Sequence, residues 1–245
     1  MPAIARPFPV AASLALLLAA LAAWALWSGA ITVHERWNPW APLRIDDRPN
    51  LLTRHKLMRA SADREACRQA LAQAGMRMTP IEDRKTGEGC GFDHAFRIER
   101  TGVAVGSPFA LSCRAALSLA MWERHALQQA AQAHLGARVA RIEHLGSYAC
   151  RNRYGREAGR RSLHATADAL DIAGFVLEDG RRIRVLSDWN AAATSSGGVQ
   201  SAEAAFLRDL RDGACPHFDA VLGPDYNAAH ADHFHFDRGG ARICR

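Results

Sequence analysis

Two stretches of the sequence combine imidazole and carboxylate side chains at spacings that suit a metal ion. Residues 162–171 follow the pattern S-x-H-x-x-A-x-A-x-D, and residues 232–237 read DHFHFD. A catalytic zinc ion uses three protein ligands and leaves one position open for water. His164, Asp171 and one histidine of the second stretch would supply those three ligands.

The residues around Asp171 predict a strand, because Ala169, Asp171 and Ala173 alternate with Leu170 and Ile172. Residues i and i+2 of a strand share one face. Asp171 therefore points where its two small neighbours leave room for a metal ion.

The same geometry places His233 and His235 on one face of a second strand. One imidazole can bind the metal while its neighbour lies beside the water that attacks a carbonyl group. We predict His233 as that base, with Asp232 and His230 behind it. Asp237 could instead orient a ligand histidine.

Each of these residues also has a structural interpretation when it is taken singly. His164 could be a surface histidine, Asp171 a strand-end cap, and His233 and His235 an exposed polar edge. The combination of an H-x6-D element with an H-x-H element favours metal binding.

The composition allows one domain with a sizeable core plus an appendage, since the chain has 245 residues of which 49% are hydrophobic. Its formal net charge of +6 suits nucleic acid, an anionic membrane surface or an acidic polymer. Basic blocks with interleaved aromatic residues are missing from the sequence, so we predict no nucleic-acid partner.

The order of elements predicts an α+β fold. Ser107 and Pro108 open the longest predicted helix, to about His134, and residues 138–148 read as a strand. Asp179-Gly180 between two apolar runs is a strong hairpin signal. Helices and strands segregate along the chain, and hairpins imply antiparallel pairing. Residues 190–200 are small and polar, which predicts a loop.

The N-terminal region predicts a membrane anchor. Residues 10–31 form an uncharged apolar run of the length that spans a bilayer, and a cleaved signal peptide is the open alternative. We therefore divide the chain into a cytoplasmic segment (1–9), a transmembrane helix (10–31), a juxtamembrane linker (32–59) and a domain (60–245). The expected location is the bacterial inner membrane, single-pass, with the C-terminal domain in the periplasm.

Six cysteines follow the apolar run at wide spacing and without a C-x-x-C motif, which favours disulfides in an oxidising compartment. The 15 ways of pairing six cysteines stay open. A bond between Cys215 and Cys244 would close the loop that carries the second histidine pair.

Several motifs together resemble the bacterial extensin-like C-terminal domain family over about Cys67 to Cys244. They are Gly89-Cys90-Gly91, Leu111-Ser112-Cys113, Gly146 to Asn152, Ser162 to Asp171, Phe206-Leu207-Arg208, and Leu222-Gly223-Pro224-Asp225 through Asp237. That family in turn resembles the zinc D-alanyl-D-alanine peptidases and murein endopeptidases grouped with hedgehog. The resemblance implies a small antiparallel sheet that is flanked by helices and holds zinc.

Residue by residue, the resemblance implies His164, Asp171 and His235 as zinc ligands and His233 as the residue beside the catalytic water. It also implies that Arg151 and Ser162 bind substrate, and a guanidinium suits a terminal carboxylate because it can bind both oxygens. The sequence neighbours of Arg151 offer three rivals for that role: Arg153, Arg160 and Arg161.

Two departures from the peptidase pattern affect the expected function. Ala167 replaces the glycine of the signature, and the glutamate base of the dipeptidase branch is absent. The sequence therefore predicts a membrane-anchored, zinc-dependent hydrolase of peptidoglycan peptides, of D,D-carboxypeptidase or endopeptidase type. The alternative is a non-catalytic module that binds the cell envelope with the same fold.

Overall fold

The computed structural model describes residues 8–190 and 201–245 of the chain. Most of the predicted N-terminal segment 1–9 and nearly all of the predicted loop 190–200 therefore lie outside the described residues. The chain divides into two compact units, one up to Ala41 and one from Pro42 to Arg245. The metal-binding stretches all belong to the second unit.

The first unit contains one long helix, α1 (Phe8–Trp27), and a 3-10 turn at Glu35–Trp37. Within the described residues, no helix combines the length and the apolarity that crossing a membrane requires. The predicted transmembrane helix over residues 10–31 is therefore wrong, as is the single-pass inner-membrane location built on it. Residues 28–31 form turns and bends rather than helix, so α1 ends at Trp27, before the end of the predicted span.

The described part of the second unit has six further helices, of which α6 is a single turn. They are α2 (Thr53–Ala62), α3 (Arg64–Gln73), α4 (Cys113–Trp122), α5 (Gln128–Leu135), α6 (Val185–Asp188) and α7 (Ala202–Ala214). A π-helical turn, Glu123–Leu127, joins α4 to α5, and Gly136 ends α5 in the left-handed conformation.

The strands of the second unit are short. They are β1 (Arg77–Pro80), β2 (Arg84–Gly87), β3 (Cys90–Phe92), β4 (Ala95–Arg100), β5 (Ala104–Val105), β6 (Phe109–Ser112), β7 (Val139–Gly146), β8 (Ala169–Leu177), β9 (Arg182–Arg184), β10 (Ala220–Leu222), β11 (Phe234–Asp237) and β12 (Ile243–Cys244).

These strands form three sheets, which confirms the α+β class. The largest sheet has the order β12-β10-β11-β8-β7-β5, with β9 also paired to β8. The other sheets are β1-β4-β6 and the β2-β3 hairpin. The large sheet is not wholly antiparallel as predicted, because β5 runs parallel to β7 and β12 runs parallel to β10.

The main core lies between the large sheet and helices α4 and α7. Trp122 of α4 is fully buried against Phe236 of β11, with ring centroids 5.4 Å apart, and its indole N–H donates to the carbonyl of Leu210. Phe234 and Phe236 are both fully buried on this face. Because strand side chains alternate, His235 between them points to the opposite face.

The core also includes residues that the sequence placed in the linker. Leu43, Ile45 and Leu57 are each less than 8% exposed and belong to the same buried cluster as the sheet. Burial of these side chains ties the segment after Pro42 to the second unit.

All six cysteines are paired, which confirms the disulfide prediction and indicates an exported protein. The bonds are Cys67–Cys113, Cys90–Cys150 and Cys215–Cys244. The last bond links the end of α7 to β12 across a separation of 29 residues, so it closes the segment that contains β11.

Candidate metal centre

Asp171 and His235 meet because their strands pair in a fixed register. β8 and β11 are antiparallel, and His235 lies directly opposite Asp171. The distance from His235 Nδ1 to Asp171 Oδ1 is 2.8 Å. Both side chains lie on the face of the sheet that is turned away from the core.

His164 approaches the same point from a 3-10 turn, Leu163–Thr166, that precedes β8. Its Nε2 atom lies 3.1 Å from Asp171 Oδ2 and 3.2 Å from His235 Nδ1. Ser162 caps the turn, since its hydroxyl oxygen accepts a hydrogen bond from the His164 backbone N–H. Both Ser162 and His164 are buried.

Ala167 ends this turn in the left-handed conformation, with φ of 54°. A β-carbon raises the energy of that conformation, whereas glycine adopts it freely. Ala167 therefore occupies a position that favours glycine, and it takes the positive φ with some strain.

Asp168 fixes the segment between the two ligands His164 and Asp171. Its carboxylate is only 3% exposed and accepts hydrogen bonds from the hydroxyls of Ser112 and Thr166 and from the guanidinium of Arg114. Arg114 donates through both Nε and Nη2. The partners belong to β6, α4 and the 3-10 turn, so one carboxylate joins three parts of the fold beneath the centre.

Asp237 orients His235 from the side opposite Asp171. His235 Nε2 lies 3.1 Å from Asp237 Oδ2, and the other carboxylate oxygen of Asp237 accepts a hydrogen bond from Gly239 N–H. An imidazole that donates from Nε2 presents the lone pair of Nδ1 to a metal ion, which is how a carboxylate sets the tautomer of a ligand.

His233 lies at the edge of the cluster as the sequence predicted for a base. Its Nδ1 is 2.7 Å from Asp232 Oδ1, and its Nε2 is 3.7 Å from Asp171 Oδ1. Donation from Nδ1 to Asp232 leaves Nε2 as a proton acceptor that faces the ligands. His230 is buried next to it, with ring centroids 5.3 Å apart.

The pKa values show how the carboxylates dominate the electrostatics of the site. Burial lowers the pKa of His235, but hydrogen bonds to Asp171 and Asp237 outweigh burial and raise the value to about 9. Burial raises the pKa of Asp171, and hydrogen bonds from His164 and His235 outweigh it, so the value falls far below the usual range. The negative charges of Asp171 and Asp237, which stabilise the protonated imidazole of His235, would also stabilise a bound metal cation.

The donor set fits a zinc ion. His164, Asp171 and His235 each offer one ligand atom, and all three atoms lie within 4.8 Å of one another. Tetrahedral zinc with bonds of ~2.0 Å separates neighbouring ligand atoms by about 3.3 Å, so the observed 2.8–3.2 Å contacts need to widen by at most half an ångström. Two imidazoles and a carboxylate are also the ligand types of catalytic zinc sites.

A cavity of about 240 Å³ opens above the three ligands. Exposed Arg151 and Arg153 line it together with Tyr154, whose hydroxyl accepts a hydrogen bond from the Asn227 side chain. The loops before β8 and before β11 therefore meet over the site.

The structure brings together most of the residues that the sequence singled out. His164, Asp171, His235 and His233 converge, whereas the Ser162 hydroxyl caps the backbone and Arg151 lies at the rim of the cavity. The sequence analysis missed Asp168, although it lies inside the first motif. His230, which the sequence placed behind His233, lies beside it and is buried.

Comparison with known proteins gives one family. The family model described as "Extensin-like protein C-terminus" matches residues 65–245, which include every residue of the centre. Searches of curated proteins and of solved structures returned no match to this chain.

Proposed function

We propose that this chain, which belongs to the extensin-like protein C-terminus family, is an exported zinc-dependent hydrolase of peptide bonds in peptidoglycan. The observation that carries the proposal is the convergence of His164, Asp171 and His235 with the His233–Asp232 pair at its edge. Three ligands in one open cavity, with a base beside them, is the arrangement that metal-assisted hydrolysis requires.

A zinc ion bound by these ligands supplies Lewis acidity, which polarises a carbonyl oxygen and lowers the pKa of a water molecule. His233 Nε2 is placed to accept the proton of the attacking water and to return it to the amine that leaves. In that reaction the carbon–oxygen bond forms and the carbon–nitrogen bond breaks, with no net change in protons. Asp232 holds the imidazole in the required tautomer.

Substrate binding involves Arg151 in this proposal. Its guanidinium lies at the rim of the cavity, is exposed, and forms no salt bridge with any described residue. A guanidinium can bind both oxygens of a carboxylate. Stem peptides of peptidoglycan end in carboxylates, which makes them suitable ligands. Ser162 contributes by holding His164.

The test is incubation of the full-length chain, loaded with zinc, with purified muropeptides, followed by mass spectrometry of the products. The wild-type chain should release peptide fragments, and the variants His164→Ala and His233→Gln should not. The His233→Gln variant should still bind zinc, because His233 is not one of the three ligands. Intact muropeptides in the presence of stoichiometrically bound zinc would refute the proposal.

A second candidate is an envelope-binding module that keeps the metal but has no turnover. The net charge of +6 and the exposed arginines beside the cavity favour it. The two candidates differ at His233, because a module that only binds has no use for a base. If His233→Gln retains binding to sacculi and the wild-type chain releases no product, the binding module is correct.

A further inference from the structure

The segment from Arg151 to Arg161, which we name the arginine loop, contains five arginines in 11 residues. The disulfide Cys90–Cys150 anchors its start. Residues 152 and 161 pair through a β-bridge, and Arg153 N–H donates to the carbonyl of Arg160. The loop is thus closed on itself.

Asn152 rather than the arginines holds the loop together. It is only 9% exposed, and its side-chain amide donates to the carbonyls of Arg156 and Glu157 and accepts from Arg161. Since backbone contacts and one buried amide define the shape, the other arginine side chains are not needed for folding.

Four of those arginines are exposed and have no carboxylate partner among the residues that the structure describes. Among the described residues, the salt bridges include none to Arg151, Arg153, Arg156 or Arg160. The loop contains a single acidic residue, the exposed Glu157. Four uncompensated cations within ten residues repel one another, and an anion would relieve that repulsion.

The arginine loop also encloses a cavity of about 220 Å³. Its lining is Arg153, Tyr154, Arg156, Ala158, Gly159 and Arg160. Arg153 and Tyr154 line the metal cavity as well, so the two cavities share a wall. The Arg156 guanidinium lies over the Tyr154 ring at 5.8 Å from its centroid. Three arginines and no acidic residue therefore line this cavity.

We propose that this second cavity binds an oxyanion of the polymer whose peptide bond lies at the metal centre. Guanidinium groups bind carboxylate and phosphate in the same bidentate manner. The anion is either a carboxylate of a neighbouring stem peptide or a phosphate of a polymer attached to the wall. The choice of polymer rests on the proposed function, whereas the oxyanion preference rests on the cavity alone.

The test compares full-length wild-type chain with the double variant Arg156→Gln/Arg160→Gln in a pull-down with purified sacculi. Both side chains are exposed and are not needed for the closure of the loop, so the variant should fold. Binding to sacculi at low salt should weaken roughly fivefold, since the two exposed ion pairs together contribute about 1 kcal/mol. The difference should shrink as salt is added.

The matched control is Arg141→Gln/Arg184→Gln, which removes the same charge elsewhere. Arg141 is exposed on β7 opposite Val176, and Arg184 is exposed on β9 opposite Gly174. Val176 lies five residues along β8 from Asp171, or roughly 16 Å at the rise of a strand. The control should bind sacculi like the wild-type chain.

Chemical treatment of the sacculi identifies the source of the anion. Amidation of carboxyl groups should abolish the difference between variant and wild type if a carboxylate is bound, and removal of phosphate polymers should abolish it if a phosphate is bound. Equal binding of the double variant and the wild-type chain, or equal loss in the double variant and its control, would overturn the proposal. Because binding is measured without turnover, failure of hydrolysis alone leaves the result for this cavity unaffected.

Discussion

Replacing Asp168 by asparagine should weaken zinc binding although Asp168 contacts no zinc ligand through its side chain. The carboxylate accepts hydrogen bonds from Ser112, Arg114 and Thr166, and it lies between His164 and Asp171 in the sequence. Asparagine keeps the shape but loses the charge and places an amide N–H₂ group against donors. The segment that carries His164 and Asp171 then loses its side-chain attachment to β6 and α4, and keeps only the backbone bond from Ser112 N–H to the Ala167 carbonyl.

The expected loss of unfolding free energy follows from the burial of Asp168 and of Arg114. Removing one partner of a fully buried ion pair costs about 3–5 kcal/mol. Arg114 is 47% exposed and can recover water, whereas Asp168 is 3% exposed. We therefore expect a smaller loss, about 2–3 kcal/mol of the free energy of unfolding. Zinc affinity should fall ~10–100-fold, as for other residues that orient metal ligands.

The assay is a competition titration with a chromogenic zinc chelator, combined with urea denaturation of the metal-free chain. The control is Glu123→Gln, since Glu123 is also a buried carboxylate with three donors: Thr101, Gly102 and Val103. These donors belong to the turn between β4 and β5, away from the ligands. If Asp168→Asn lowered stability but bound zinc within twofold of the wild-type chain, the positioning role would be refuted.

Three further predictions concern other parts of the second unit. Asp237→Asn should lower zinc affinity about tenfold, because His235 loses its carboxylate partner. Circular dichroism should show an intact fold, and an unchanged zinc affinity would contradict the role of Asp237. Burial raises the pKa of Glu123 to about 7 from 4.5, so the folded chain holds a proton that the unfolded chain has released, and stability should fall by about 3 kcal/mol as the pH rises from 4.5 to 7. Urea denaturation across that pH range checks the sign of this change in stability. The variant Glu123→Gln should lose most of the pH dependence. The double variant Cys215→Ser/Cys244→Ser opens a loop of 29 residues and should lose about 3–4 kcal/mol of unfolding free energy on the chain-entropy estimate; equal urea midpoints would show that the bond contributes little.

The convergence of His164, Asp171 and His235 could be predicted from sequence because each residue lies in a short, local pattern. Asp171 and His235 are on strands with clear alternation, so the face of each side chain followed from its position. The partners of Asp168 could not be predicted in this way, since Ser112 and Arg114 are 56 and 54 residues away. In the sequence, a buried carboxylate cannot be told from an exposed one until the tertiary contacts are known.

The helix boundaries show where local signals compete with tertiary contacts. Ser107 and Pro108 predicted the start of a long helix, but residues Phe109–Ser112 form β6 and pair with β4 instead. The helix begins at Cys113, where the Ser112 hydroxyl accepts a hydrogen bond from Ala115 N–H. Ser112 is an equally good N-cap by type, and only strand pairing decided between the two serines.

The apolar run at the N-terminus was the less reliable inference. Its length and lack of charge suggested an anchor, yet α1 does not meet the requirements for crossing a membrane. The inference of export was sounder, because it rested on cysteine number and spacing as well as on the run. All three bonds formed within the second unit.

Because β8 pairs with β11 in a fixed register, binding of the proposed metal ion would depend on correct strand alignment. Slipping β11 by one residue would place Phe234 or Phe236 opposite Asp171 and turn the histidine into the core. Such a misaligned chain would have no complete ligand set. A cation that bound only the correct alignment would lower the free energy of that state alone, so a metal ion present while the chain folds would disfavour slipped conformers.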